Sequence, residues 1–225
     1  MVHKLIIDSL SHSFGKKAVL SNVHLEIATG NITGILGRNG SGKTTLFKTV
    51  IGTLKPSSLH AYLDGEIIQN NTDLYRFIGF HPQEIILPQG VLVSKLITMY
   101  ILNGDDQNKI FYAPGVYDMQ SKRVYQLSHG QQRYLQFLLI LNLKHSFIFL
   151  DEPFSMVEPI YRSFIKDKLV EYKNDKGIII TDHYYLDILD VSDKIYLIKN
   201  GEISPINKPE DLISNGYLAD KSILF

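Results

Sequence analysis

Eight residues constrain this chain more than any others: Gly37-Arg38-Asn39-Gly40-Ser41-Gly42-Lys43-Thr44, which fit the pattern G-x-x-x-x-G-K-[ST]. They follow a short apolar run at 32–36 and lead into 45–51, whose apolar spacing is that of a helix stopped by Gly52. A strand that enters a glycine-rich turn and then a helix makes a cradle for phosphate. The glycines let the backbone wrap an anion, so that successive N–H groups point inward at the positive end of the helix. Lys43 adds a mobile charge for β- and γ-phosphates, and the Thr44 hydroxyl can ligate Mg²⁺. A plain glycine turn before a helix is the alternative, but the four fixed positions recur by chance in about one chain of this length in a hundred.

A second element stands about a hundred residues later. Phe147-Ile148-Phe149-Leu150 is a continuous apolar strand that ends in two adjacent carboxylates, Asp151 and Glu152. Open α/β sheets hold ligands at the carboxyl ends of their strands, so this pair is expected to face the phosphate loop. Asp151 suits the shell of a Mg²⁺ ion, and Glu152 is placed to take a proton from an attacking water.

The remaining pattern agrees with one α/β core. Val23, Leu25 and Ile27 alternate with polar residues, which predicts a half-buried strand, and Asp64-Gly65 predicts a tight hairpin turn. A helix is expected over 93–102, then a polar stretch with little periodicity to Gln126, then a helix over 131–143. Beyond the acidic pair, helix 160–172 and strands 178–180 and 195–198 alternate as in a parallel sheet. The expected fold is a P-loop NTPase core with a mainly parallel sheet, an N-terminal antiparallel β part and a short helical insertion. The core is expected at about 1–87 and 147–225, and the helical part at about 88–146.

Composition removes several function classes. The 225 residues carry 23 basic and 23 acidic side chains, so the basic excess of a nucleic-acid-binding surface is missing and no nucleic-acid partner is expected. There is no cysteine, which excludes disulfides, zinc–thiolate sites and cysteine nucleophiles. The start, Met1-Val2-His3-Lys4-Leu5, lacks the apolar block of a signal peptide. The densest apolar stretch, 134–150, is broken by Gln136, Asn142, Lys144 and His145 and is too polar to span a bilayer. A soluble chain is expected, with any membrane role exercised through a partner.

P-loop proteins include kinases, GTPases and many motors, so the phosphate loop alone names no function. Leu127-Ser128-His129-Gly130-Gln131 narrows it. Ser128 and Gln131 have capping-box spacing for the helix that follows, and a capped helix start beside a glycine is also a second anion site. On these residues the chain resembles the ABC ATPase family over nearly its whole length. The family signature, Leu-Ser-Gly-Gly-Gln, falls between the phosphate loop and the acidic strand, as here. The resemblance implies an ATP- and Mg²⁺-dependent ATPase. The phosphate loop and Thr45 would bind nucleotide; Thr44, Gln83 and Asp151 would hold the metal; Glu152 would be the base. It further implies that Phe14 stacks on adenine, that Gln83 in His81-Pro82-Gln83-Glu84 senses the metal, and that His183 in Ile180-Thr181-Asp182-His183 contacts the γ-phosphate. Ser155-Met156-Val157-Glu158 falls at the loop that touches the other subunit.

The family works as a head-to-tail pair, so the resemblance implies that Ser128, His129, Gly130 and Gln131 act on ATP held by a second ATPase subunit, an identical copy or a paralogue. Integral membrane permease subunits are the other implied partners, with this chain cytoplasmic and peripheral to the membrane. The motif flavour is similar to that of branched-chain amino-acid importer ATPases and the lipopolysaccharide-transport ATPase. Three departures stand out. His129 replaces a signature glycine, Glu158 stands where the family usually has Asp, and the insertion from Gln83 to Leu127 is short. Two other functions compete: a soluble ABC ATPase of DNA repair or translation, and a regulatory nucleotide-binding module. The chain lacks the coiled-coil inserts or tandem cassettes of the first, and Lys43, Asp151, Glu152 and His183 argue against the second.

Overall fold

A computed structural model describes residues 2–69 and 71–219, residues 71 and 72 in backbone alone. Two sheets share the chain. The first is antiparallel, with strand order β2-β1-β4-β5, where β1 is Lys4–Phe14, β2 Lys17–Ala28, β4 Ser58–Leu63 and β5 Glu66–Ile67. The second has the order β10-β9-β3-β8-β7-β6, where β3 is Ile32–Leu36, β6 Ile78–His81, β7 Phe147–Asp151, β8 Gly177–Thr181, β9 Lys194–Lys199 and β10 Glu202–Ile206. Its strands run parallel from β9 to β6, and only β10 pairs antiparallel.

The central strands are buried on both faces, which is why they read as unbroken apolar runs. On β7, Phe147 and Phe149 face one apolar cluster while Ile148 and Leu150 face another. The first cluster lies between the two sheets and encloses helix α1, Lys43–Val50, whose Phe47 ring sits 5.1 Å from that of Phe149. The second cluster joins the opposite face of the large sheet to helices α2 (Val93–Tyr100), α3 (Gly104–Phe111), α4 (His129–Leu141), α5 (Pro159–Tyr172) and α6 (Tyr185–Val191). The apolar packing is continuous from Val93 and Ile110 through Leu135 to Ile148. A short α7, Asp211–Ser214, follows β10. Among the described residues no helix is long and apolar enough to cross a membrane.

The Asp64-Gly65 turn forms with both residues at positive φ, 53° and 87°, as a tight antiparallel hairpin requires. The polar stretch before Gln126 differs from expectation: it contains α3. That helix buries only Ile110, so an apolar period is barely visible. Its start is set instead by Asn103, whose side chain accepts from the N–H groups of Asp105 and Asp106 at 2.9 and 3.1 Å.

His81, the last residue of β6, is fully buried against α4 with its ring edge-on to Phe137. Burial, reinforced by the nearby Arg133 cation, pushes its pKa down from 6.5 to about 3. Between those values the unfolded chain binds a proton that the folded chain refuses. Stability therefore falls as pH falls, by roughly 1.4 kcal/mol per pH unit from this group alone. Replacing His81 by Asn should flatten the acid limb of a plot of urea midpoint against pH by about one proton. An unchanged slope would assign the acid sensitivity to other groups.

Candidate active site

The parallel strands end together. Asp151 is in register with Thr181 across β7 and β8, and Ile35 with Thr181 across β3 and β8. Three loops therefore leave one sheet edge side by side: the phosphate loop after β3, the acidic turn after β7 and the His183 turn after β8. They bound a cleft of about 710 Å³ lined by Asn39, Gly40, Lys43, Thr44 and Thr45 from the first, Glu152 from the second and His183 from the third. Phe14, Lys17 and Val19 of the β1–β2 hairpin close one side, and Gln83 after β6 closes another. Sequence reading had picked all of these residues except Lys17 and Val19, since a Lys and a Val in a hairpin carry no chemical pattern of their own.

Helix α1 has Gly42 as N-cap at φ 108°, and no side chain caps it. Its first N–H groups are thus free for an acceptor in the cleft, and the backbone angle explains why only glycine suits position 42. Lys43 is nearly buried; its Nζ donates to the carbonyls of Gly37 at 2.7 Å and Arg38 at 3.3 Å. Burial lowers its pKa, opposed by the charges of Glu152, Asp151 and Asp182. Arg38 contributes backbone only: its guanidinium turns away and donates to the Gly216 carbonyl at 2.8 Å. Gly37 and Ser41 do not line this cleft. Phe14, at the end of β1, is about half exposed, edge-on to His12 at 4.6 Å, and offers a free ring face beside the cleft.

Asp151 lies beneath the cleft, 1% exposed. One of its oxygens accepts from Thr181 Oγ1 at 2.8 Å, and the other, Oδ2, is buried with no hydrogen-bond partner among the described residues. Burial pushes this carboxyl up, while the Thr44 and Thr181 hydroxyls pull it down. A buried carboxylate oxygen left without a donor, next to a threonine hydroxyl, is a fit for a hard cation such as Mg²⁺, which takes one or two protein oxygens and leaves the rest to phosphate and water.

Glu152 has φ 53°, and its side chain is held from two sides. Gln83 Nε2 donates to Oε2 at 3.0 Å, and Ser155 Oγ lies 3.2 Å from the same oxygen. His183 Nδ1 is 3.1 Å from Ser155 Oγ and 3.3 Å from Asp182 Oδ1. The imidazole is backed by the Tyr184 ring at 4.1 Å, which in turn carries the Arg162 guanidinium 4.1 Å above its centroid. Asp182 is fully buried and anchors two turns, accepting from Phe154 N at 2.9 Å and Tyr184 N at 3.0 Å.

Ser128, Gly130 and Gln131 do not line this cleft. The capping box closes at the start of α4: Ser128 Oγ accepts from Gln131 N at 3.1 Å and Gln131 Oε1 from Ser128 N at 3.0 Å. His129 is exposed and borders a neighbouring groove shared with Gln83, Glu152 and His183. Gly130 is packed so that an added Cβ would stand 2.5 Å from the Met156 carbonyl oxygen. Exposure explains why a histidine fits at 129, and close backbone approach why glycine is kept at 130. Arg133, one turn on and 2% exposed, donates to the carbonyls of Gln83, Asp151 and Glu152. Sequence reading passed over it as one more polar residue on a helix.

Comparison with known proteins adds the following. The family model described as ABC transporter matches residues 20–155. The lipopolysaccharide export system ATP-binding protein LptB of Haemophilus influenzae is 29% identical over 224 residues, covering 94% of this chain and 93% of that protein. The choline transport ATP-binding protein OpuBA of Bacillus subtilis is 30% identical over 226 residues, covering 94% of this chain but 59% of its own length. Among solved structures, one described as an ATP binding subunit of an ABC transporter superposes with a TM-score of 0.82 at 20% identity, over 97% of this chain and 95% of that one.

Gly130→Ala should drive the first turn of α4 away from the acidic turn. We expect a loss of roughly 1–3 kcal/mol in stability, the usual range for overpacking, together with reduced ATP turnover. Denaturant midpoints and ATPase rates measured on the same preparation check both parts.

Proposed function

The chain belongs to the ABC transporter family as an ATP-binding, ATP-hydrolysing subunit, and on that footing we propose that it drives transport by closing head-to-tail on a second ATPase subunit, with membrane-spanning permease chains as its load. The observation that carries this reading is the separation of two anion-seeking helix starts. The α1 start opens into the cleft with Lys43, whereas the α4 start at Ser128 lies outside it. Within one chain the second start has no phosphate to serve; in a head-to-tail pair it covers the cleft of the partner.

In this reading Lys43 and the free N–H groups of the phosphate loop bind the β- and γ-phosphates, and Phe14 offers its ring to adenine. Thr44 and Asp151, with Gln83 at the rim, would hold Mg²⁺, which when bound neutralises charge on the β- and γ-oxygens. Glu152 takes the proton of the attacking water, and His183 contacts the γ-phosphate from the opposite wall. Relatives that serve lipopolysaccharide export and choline transport share this unit. The cargo is therefore read by the membrane partners, which hold this chain at the cytoplasmic face.

Glu152→Gln should keep ATP bound, lose roughly 10²–10⁴-fold in turnover, and accumulate as an ATP-dependent dimer. Light scattering that finds only monomer at saturating Mg-ATP counts against the closed pair. The sharper test mixes a Lys43→Ala chain with a Ser128→Arg chain. Each alone should be nearly inactive. The mixed pair holds one composite site with both substitutions and one with neither, so nucleotide trapping and part of the parental rate should return. Ser128→Arg alone at the parental rate would reduce Ser128 to a helix cap.

A further inference from the structure

Ser155 sits three residues past Glu152, in the turn that follows β7, with 8% of its surface exposed. Its hydroxyl stands between the two groups assigned to the reaction, 3.2 Å from Glu152 Oε2 and 3.1 Å from His183 Nδ1. A hydroxyl has one proton to donate, and an ionised carboxylate can only accept. The Ser155 proton therefore goes to Glu152, and Oγ must accept a proton from His183 Nδ1–H. Asp182 Oδ1, 3.3 Å from the same nitrogen, is a second acceptor that favours a proton at Nδ1. The third oxygen near it, Glu152 Oε2 at 3.7 Å, acts in the same sense. The chain of donation runs one way, from His183 through Ser155 to Glu152.

This ordering decides which atoms are left for the substrate. Glu152 Oε2 already receives Gln83 Nε2–H and the Ser155 hydroxyl, and Oε1 accepts from no described residue. His183 spends Nδ1 on Ser155 and Asp182, with its ring face against Tyr184, and Nε2 has no partner among the described residues. We propose that Ser155 is a positioning residue for ATP hydrolysis, whose single hydroxyl fixes Oε1 of Glu152 as the atom facing the attacking water and Nε2 of His183 as the atom facing the γ-phosphate. Ser155 touches neither water nor phosphate; it acts through the two side chains that do. The inference rests on the assignment of Glu152 and His183 given above.

The test compares Ser155→Ala and Ser155→Thr with the parent, using the whole chain with Mg-ATP and Glu152→Gln as the reference. Ser155→Ala removes one oxygen from a turn otherwise held by Asp182, so it should fold. It should bind ATP with an unchanged KM and lose roughly tenfold in kcat, the order of one hydrogen bond to a charged group. Ser155→Thr, which keeps the hydroxyl, should recover most of that loss. In the parent, ¹⁵N spectra of the neutral His183 ring, assigned with a His183→Gln chain, should show the proton on Nδ1. Parental kcat in Ser155→Ala overturns the proposal, and so does an Nε2–H tautomer in the parent. If Glu152→Gln itself turns over at the parental rate, the general-base assignment has failed and the Ser155 proposal falls with it. A Glu152→Gln chain that is inactive beside a fully active Ser155→Ala chain isolates the failure to Ser155.

Discussion

The guanidinium of Arg133 is where helix α4 and the loops after β6 and β7 become one object. It is almost wholly buried, and burying a charge is costly unless it is paired and hydrogen-bonded. Its partners are backbone carbonyls: Gln83 at the end of the β6 loop, and Asp151 and Glu152 at the end of β7. Burial lowers its pKa, and Asp182, Glu152, Asp151 and Glu84 oppose that effect in turn. The cation is thus kept by the field of the very carboxylates whose loops it ties. Burial first, and repulsion from Arg133 second, keep the His81 imidazole neutral, so the two residues form one arrangement of a held cation beside an uncharged base.

The sheet supplies the other half of the geometry. Aligned carboxyl ends of β3, β7 and β8 bring three carboxylates, Asp151, Glu152 and Asp182, to one edge together with Lys43. They do different work because their surroundings differ. Asp182 spends both oxygens on backbone N–H groups and so holds the turns that carry Phe154 and His183. Asp151 spends one oxygen on Thr181 and keeps the other unpaired. Glu152 is bonded at one oxygen and open at the other. A structural anchor, a carboxylate fitted to a cation and the proposed base are separated by hydrogen bonding rather than by residue type.

Much of this was written in local sequence. The phosphate loop, the apolar strand before Asp151-Glu152 and the capping box at Ser128 are short-range patterns whose chemistry follows from neighbours in the chain. Strand β7 was legible because burial on both faces leaves no polar interruption, and α5 was found to within a residue. The turn residues Asp64 and Gly65 were legible for the same local reason. Helix α3 was not, since a single buried residue gives no period to read. Strands β6 and β10 escaped as well: Ile78–His81 is only four residues long, and β10 carries Pro205 on the outer strand of the sheet. Within the site, Arg133 and Tyr184 were invisible as functional residues, and Ser155 was read only as part of the loop expected to touch a second subunit. Each acts through a partner at least twenty-odd positions away or through a backbone carbonyl, and neither leaves a mark on the spacing of a motif.

The backbone at Glu152 shows why such remote partners matter. A non-glycine residue at φ 53° is strained by about 1–3 kcal/mol and persists only where its surroundings over-determine it. Five contacts do so here. Glu152 N donates to the Thr181 carbonyl at 2.8 Å, its own carbonyl accepts from Arg133 at 2.6 Å, Gln83 and Ser155 hold the side chain, and the turn that follows is pinned when Phe154 N donates to Asp182. Those contacts come from β8, α4, the loop after β6 and the start of the His183 turn. A displacement of any one of these elements is therefore felt first at the residue with the least conformational slack, and that residue is the proposed base. Met156, also at positive φ, 59°, continues the same turn and presents its carbonyl to Gly130. The start of α4 and the carboxylate proposed as the base are thus joined by a five-residue turn, from Glu152 to Met156, with positive φ at both ends, so that a push on α4 at Gly130 has a short path to the orientation of Glu152.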